Sequence, residues 1–205
     1  EYERIAYNEA EIFAVEARQE NKKLEIRWND AGDFFSDVYF NLAVSVTNKL
    51  KEKGYDVESY AYTKAAKYIK LGKEKGMTMT FSLGAAEKEK QKVDIGETKT
   101  SIIVPRDVFA DFFIKKASRF EKDETGKTKF KDEASKEGLK LSIYNRYKNE
   151  LPDLTLDSLK YTDELPASIG EPLEYNAIIL PAGDSDRPAQ RSDVHYKFLL
   201  VHWQF

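Results

Sequence analysis

Apolar positions along the chain change period several times, and each change predicts an element. Ile5, Ile12, Phe13 and Glu16 fall at near-helical spacing within residues 2 to 20, which lack Gly and Pro, so an amphipathic helix with its Glu-rich side in water is expected. Leu24, Ile26 and Trp28 then alternate with Glu25 and Arg27, the period of a half-buried strand. Past Asn29-Asp30-Ala31-Gly32-Asp33, Ser36 is placed to cap a helix and Asp37 to complement its dipole. Val38, Leu42, Val46 and Leu50 make its apolar stripe, and Gly54 its end. A second strand spans Val57 to Tyr62, and a short helix opens at Thr63 or Lys64 and runs through Ile69. Gly72 to Gly76 turns the chain, and Met77, Met79, Phe81 and Leu83 alternate with Thr78, Thr80 and Ser82 as a third strand. Ser101 to Val104 is a fourth. Pro105 with Asp107 starts a helix bearing Val108, Phe109, Phe112, Phe113 and Ile114.

Residues 115 to 138 are rich in Lys, Glu, Asp, Thr and Ser, which predicts an exposed charged insertion or ragged helical arm. Strand alternation resumes at Leu139, Leu141 and Ile143, Ala177 to Leu180 is a short continuous apolar strand, and Val194 to Phe205 reads as a long one. Strands alternating with helices favour an α/β fold, here a single domain over 1–205 with a mainly parallel central sheet or partial barrel flanked by helices. The carboxyl ends of parallel strands share one rim, where open sheets and barrels both place ligand groups.

Composition narrows the chemistry. Hydrophobic residues are 41% of 205, with 10 Gly and 6 Pro, which suits a chain that buries a real core. No segment resembles a membrane span or a signal peptide, so a cytoplasmic protein is expected. The absence of Cys excludes disulfides, thiolate nucleophiles and thiolate metal sites within this chain, and 2 His argue against a His-rich metal centre; no cofactor is expected. A nucleophile elbow, a Walker loop and a dinucleotide glycine fingerprint are absent. The net charge of -3 conceals a segregation. Residues 1 to 40 carry 5 basic against 10 acidic side chains, 41 to 149 carry 24 against 16, and 150 to 205 carry 4 against 10. The basic middle block can attract a polyanion if it gathers on one face, or be an ordinary solvated Lys/Glu surface.

Three constellations fall at the expected rim. Arg27-Trp28-Asn29-Asp30-Ala31-Gly32-Asp33-Phe34-Phe35 leaves a strand and enters a helix, offering oxygen ligands to a metal, or Arg27 and helix-start N–H groups to an anion. It is equally a capped turn. Tyr60-Ala61-Tyr62-Thr63-Lys64 puts two aromatic rings on one strand face with a Lys beyond them, which suits stacked bases and a phosphate or a half-buried pair under a helix. Leu180 to His195 carries Asp184, Asp186, Arg187, Arg191 and Asp193 in a polar loop, a place for a site or for ordinary ion pairs. His195 and His202 lie seven apart in one strand, hence on opposite faces and unsuited to share a metal.

The run Arg27 to Phe35, Tyr39, the strand end Tyr60 to Lys64 and the closing Leu180-Pro181-Ala182-Gly183-Asp184 together resemble a group of tailed-phage proteins of largely unassigned function, over most of residues 24 to 202. Some members of that group carry Cys clusters before the first strand and near the last; this Cys-less chain does not, and a binding role gains weight. The resemblance implies a phage-encoded accessory protein acting on single-stranded DNA in replication or early transcription.

Two function classes follow. As a binding module, the protein lays single-stranded DNA along the basic block, with Trp28, Tyr60 and Tyr62 stacking bases. Arg27, Lys64, Lys115, Lys116, Arg119, Arg187 and Arg191 then supply positive charge. As an enzyme, it gathers Asp30, Asp33, Asp184 and Asp186 around Mg²⁺ and hydrolyses a phosphodiester. A third option docks the acidic ends on a phage or host polymerase. Binding is the favoured expectation, with self-association left open.

Overall fold

The computed structural model describes residues 1–29, 32–109, 120–122, 124, 128–164, 176–181 and 194–200. It has two compact units, 1–94 and 95–205. Both are α/β with parallel strands flanked by helices, the class that the alternating periods predict.

In the first unit, helix α1 (Tyr2–Gln19) leads into strand β1 (Leu24–Trp28), helix α2 (Asp37–Glu52), strand β2 (Val57–Thr63), helix α3 (Ala66–Lys75), strand β3 (Thr78–Ser82) and the short helix α4 (Glu87–Lys90). β1 pairs parallel with β2, and β2 with β3, in a register that sets Leu24 opposite Val57 and Ala61 opposite Met79. Ser36 caps α2 as expected, its hydroxyl accepting the Tyr39 N–H at 3.1 Å. The stripe is displaced from the expected one, however: Phe40, Ala43, Val44, Val46, Thr47 and Leu50 are buried, while Val38 is 79% exposed. At 100° per residue Val38 lies on the side of α2 opposite Phe40, Ala43 and Thr47.

α1 departs from expectation more. The face turned to the protein carries the small Ala6, Ala10 and Ala14 with Tyr7, packed with Val46, Leu50 and Val57, and Ile5, Ile12 and Phe13 point to solvent. Alanines let two helix backbones approach closely, and salt bridges lace the seam: Lys49 to Glu3 at 2.8 Å and Lys53 to Glu11 at 2.7 Å. α3 continues through the stretch expected as a turn. It ends at Gly76 in the left-handed region, φ 73°, and it tolerates Gly72 because a Cβ there would lie 2.1 Å from Met79 Cγ and 2.9 Å from the Met77 carbonyl. The helices pack on the sheet face bearing Leu24, Ile26, Trp28, Val57, Ala61 and Met79. By alternation, the opposite face bears Arg27, Tyr60, Tyr62 and Thr80.

In the second unit, β4 (Thr100–Ile103), β7 (Leu159–Tyr161), β8 (Ala177–Leu180) and β9 (Tyr196–Leu199) are parallel in the order β4-β9-β8-β7. A 3-10 turn (Arg106–Phe109) stands where a helix was expected to start, and the rest of that expected helix lies outside the described residues. Within the expected 115–138 insertion, β5 (Phe120–Lys122) and β6 (Thr128–Phe130) form an antiparallel hairpin and helix α5 (Glu133–Tyr147) begins. That helix corrects the strand expected at Leu139 to Ile143. Leu139, Ile143 and Tyr147 satisfy helical spacing as well as Leu139, Leu141 and Ile143 satisfy alternation, and the Asp132 carboxylate, accepting the Ser135 N–H at 2.7 Å, fixes the helix start. β7 has only three residues and no sequence signal. The terminal strand is shorter than expected where described, and 201–205, with His202, lie outside the described residues. No described helix is long and apolar enough to cross a membrane.

Candidate functional site

The carboxyl ends of β1 and β2 bring part of the expected constellation together. Arg27 is opposite Tyr60 in the register, so Arg27, Tyr60 and Tyr62 share a sheet face. The Arg27 guanidinium lies 5.1 Å from the centre of the Tyr62 ring, a cation–π contact. Tyr62 meets Tyr60 at 6.4 Å with the rings 78° apart, so the two form an edge-to-face pair and not a flat platform. Tyr60 is buried, Tyr62 half-buried and Arg27 exposed, which makes Tyr62 with Arg27 the reachable part. Trp28 is on the other face, packed beneath the helices against both core clusters. It is not beside the two tyrosines.

Asp33 ties the loop after β1 to the end of β2. Its Oδ1 accepts the Phe34 N–H and the Thr63 hydroxyl, both at 2.7 Å, and its Oδ2 accepts the Lys64 N–H at 2.6 Å. The Thr63 hydroxyl in turn accepts the Ala65 N–H at 3.0 Å. These bonds hold the Lys64 backbone against the β1 loop, and they occupy the carboxylate that the nuclease reading needs for a metal.

Two donors at the end of β1 have no acceptor among the described residues. Trp28 Nε1 and Asn29 Nδ2 are buried without a described hydrogen-bond partner, as is Ser59 Oγ on β2. Asn29 has φ 58°, in the left-handed region, and Gly32 follows with φ 92°. Buried polar groups are nearly always paired, so adjacent orphan donors mark where an acceptor belongs.

Phe35, Tyr39 and Asp37, named in the sequence, gather here with Tyr2 and Lys67, which were not. Phe35, 82% exposed, stacks on Tyr39 at 4.8 Å with the rings 15° apart, and the exposed Tyr2 lies 6.3 Å from Tyr39. Burial pushes the Tyr39 hydroxyl above the usual tyrosine range. Lys67 bonds Asp37 at 2.6 Å, holding that carboxyl below its ordinary range and its own ammonium above. The double Phe before a helix, an exposed aromatic pair where a turn needs none, is the signal in the sequence for this cluster; Tyr2 and Lys67 carry none. Lys197 is fully buried in β9, where alternation within an apolar strand hides it in the sequence.

Lys115, Lys116, Arg119, Arg187, Arg191, Asp30, Asp184 and Asp186 lie outside the described residues. His195 is a brace: its Nε2 donates to the Ile95 carbonyl at 2.9 Å. Among the described residues, Glu133, Glu137 and Glu164 are close enough to hold an ion, but Lys140 lies 3.3 Å from Glu137, Lys136 lies 3.8 Å from Glu164, and Glu164 also accepts the Tyr161 N–H. An open depression lined by Asn48, Glu52 and Lys75 lies along the outer side of α2, away from this rim.

The family model described as gene product 88 matches residues 2–138. The chain belongs to the gene product 88 family. The gene product 88 match takes in the whole β1 to β2 rim and α1, and stops short of the Leu180 to Asp184 segment. No curated protein and no solved structure matches the chain.

Proposed function

We propose that this gene product 88 protein is a phage-encoded accessory protein of the host-cell cytoplasm that binds single-stranded nucleic acid, single-stranded DNA first, at the carboxyl rim of β1 and β2. The observation that carries the reading is the exposed Arg27 guanidinium on the Tyr62 ring at the end of β1, with Asn29 Nδ2, two residues on, buried without an acceptor among the described residues. A strand of nucleic acid supplies a phosphate or base-carbonyl acceptor at Asn29 and a π-face for the Arg27–Tyr62 pair. The basic block 41 to 149 adds long-range attraction. A Mg²⁺ phosphodiesterase is the weaker reading, because Asp33 already accepts three hydrogen bonds.

Titration of a fluorescent single-stranded oligodeoxynucleotide with and without Mg²⁺, followed on a gel, tests this. Binding that weakens steeply as salt rises, with the oligonucleotide intact, supports it. A flat salt response, no binding at about 50 mM salt, or cleavage that needs Mg²⁺ would overturn it.

A further inference from the structure

We infer that the outward face of α1 is a docking surface for a basic amphipathic helix of a partner protein. Tyr2, Ile5, Glu9, Ile12, Phe13 and Glu16 follow one another mainly at three- and four-residue steps, so they form one stripe along α1. The stripe is the side away from Ala6, Ala10 and Ala14, which face the protein. Tyr2 is 61% exposed, Ile5 43%, Ile12 60% and Phe13 59%. Scattered single apolar side chains on a surface are ordinary, but four large ones in line on a helix already anchored by its other face are a contact surface without its partner.

Charge says what covers it. Glu3 and Glu11, on the seam side of α1, are held by Lys49 and Lys53 of α2. Glu9 and Glu16, inside the stripe, are exposed and make no ion pair among the described residues. They stand seven residues apart, two helical turns or about 10 Å. A partner helix with an apolar ridge and Lys or Arg at the same interval meets both features at once. A second copy of this chain does not: pairing α1 with α1 brings Glu9 and Glu16 of both copies into an apolar contact with no basic residue in the stripe. Arg4 is bonded to Glu1, and Arg18 to the Gly54 carbonyl. The same carboxylates repel phosphates, and the surface meets the rim at Tyr2, beside Tyr39, while Ile12, Phe13, Glu9 and Glu16 carry the contact; its fate is independent of the nucleic-acid reading.

The probe is a synthetic amphipathic peptide with Leu on one helical face flanked by Lys at seven-residue intervals, compared with the same peptide carrying Glu for Lys. Binding to the full chain is measured by fluorescence anisotropy, and circular dichroism checks that each variant folds. The Lys peptide binds and the Glu peptide does not. Ile12→Ser with Phe13→Ser weakens binding about tenfold or more, as hot-spot truncations do. Glu9→Lys with Glu16→Lys reverses the preference towards the Glu peptide, whereas the same charge change at Glu74→Lys with Glu87→Lys leaves the Lys peptide bound. Any one of four results overturns the inference: equal binding of both peptides, an equal loss in the Glu74/Glu87 variant, self-association in sedimentation that Ile12→Ser with Phe13→Ser abolishes, or a loss of single-stranded DNA affinity in that variant.

Discussion

Asn29 and Asp33 play opposite parts in one loop. Asn29 holds a left-handed backbone that favours Gly or Asn, and its amide nitrogen is buried with no acceptor among the described residues. Asn29→Gly is therefore expected to leave stability equal or higher in urea unfolding while weakening oligonucleotide binding; Asn29→Ala forces a Cβ into the left-handed region and costs about 1 kcal/mol. Asp33 carries the loop to β2, so Asp33→Ala strands the Thr63 hydroxyl and the Lys64 N–H and costs about 2–3 kcal/mol in the same measurement. A titrating residue gives a third check. Burial pushes the Tyr147 hydroxyl up to about 12, against an ordinary value near 10. Its raised value means that the stability it contributes is complete below about pH 10 and is lost as pH rises towards 12. Tyr147→Phe should flatten that alkaline loss.

At the scale of elements, the α1–α2 seam is the part most sensitive to acid. Hydrogen bonding from Lys49 and Ser45 lowers the Glu3 carboxyl below its usual range, and bonding from Lys53 does the same for Glu11. Lowered carboxylates stabilise the fold above the ordinary carboxylate range, and that contribution disappears as pH falls through their lowered values. Thermal unfolding of Glu3→Gln with Glu11→Gln should accordingly depend less on pH below about 5 than that of the parent. Where α3 crosses β3, Gly72→Ala drives a methyl into Met79 and the Met77 carbonyl, an overpacking expected to cost about 1–3 kcal/mol. The elements legible in the sequence were those whose period and cap signals agreed, as at β1, at Ser36 on α2, and at β8. At α5 the apolar residues fit both periods, and the Asp132 cap decides between them. α1 was recognised, but its inner face was not: size, Ala rather than Ile, selected the side that packs. The Asp33 brace was hidden for a different reason, since its partners Thr63 and Lys64 lie thirty residues further on and only the β1–β2 register brings them near.

The molecule as a whole presents two chemistries, a donor-rich rim on the β1–β2 ends and an acidic, apolar outer face on α1. If the basic block draws in nucleic acid at long range, replacing Lys115, Lys116 and Arg119 with Ala should lower affinity and the salt slope without changing any base preference, as seen in oligonucleotide titrations at several salt concentrations. The decisive measurement pairs urea unfolding with single-stranded DNA affinity on one variant, Arg27→Ala. Arg27 is exposed on a strand edge of the rim, so stability should change by less than about 1 kcal/mol while affinity falls at least about tenfold. Severe destabilisation with unchanged affinity per folded molecule would contradict the account and leave the rim as a brace between a strand and a helix.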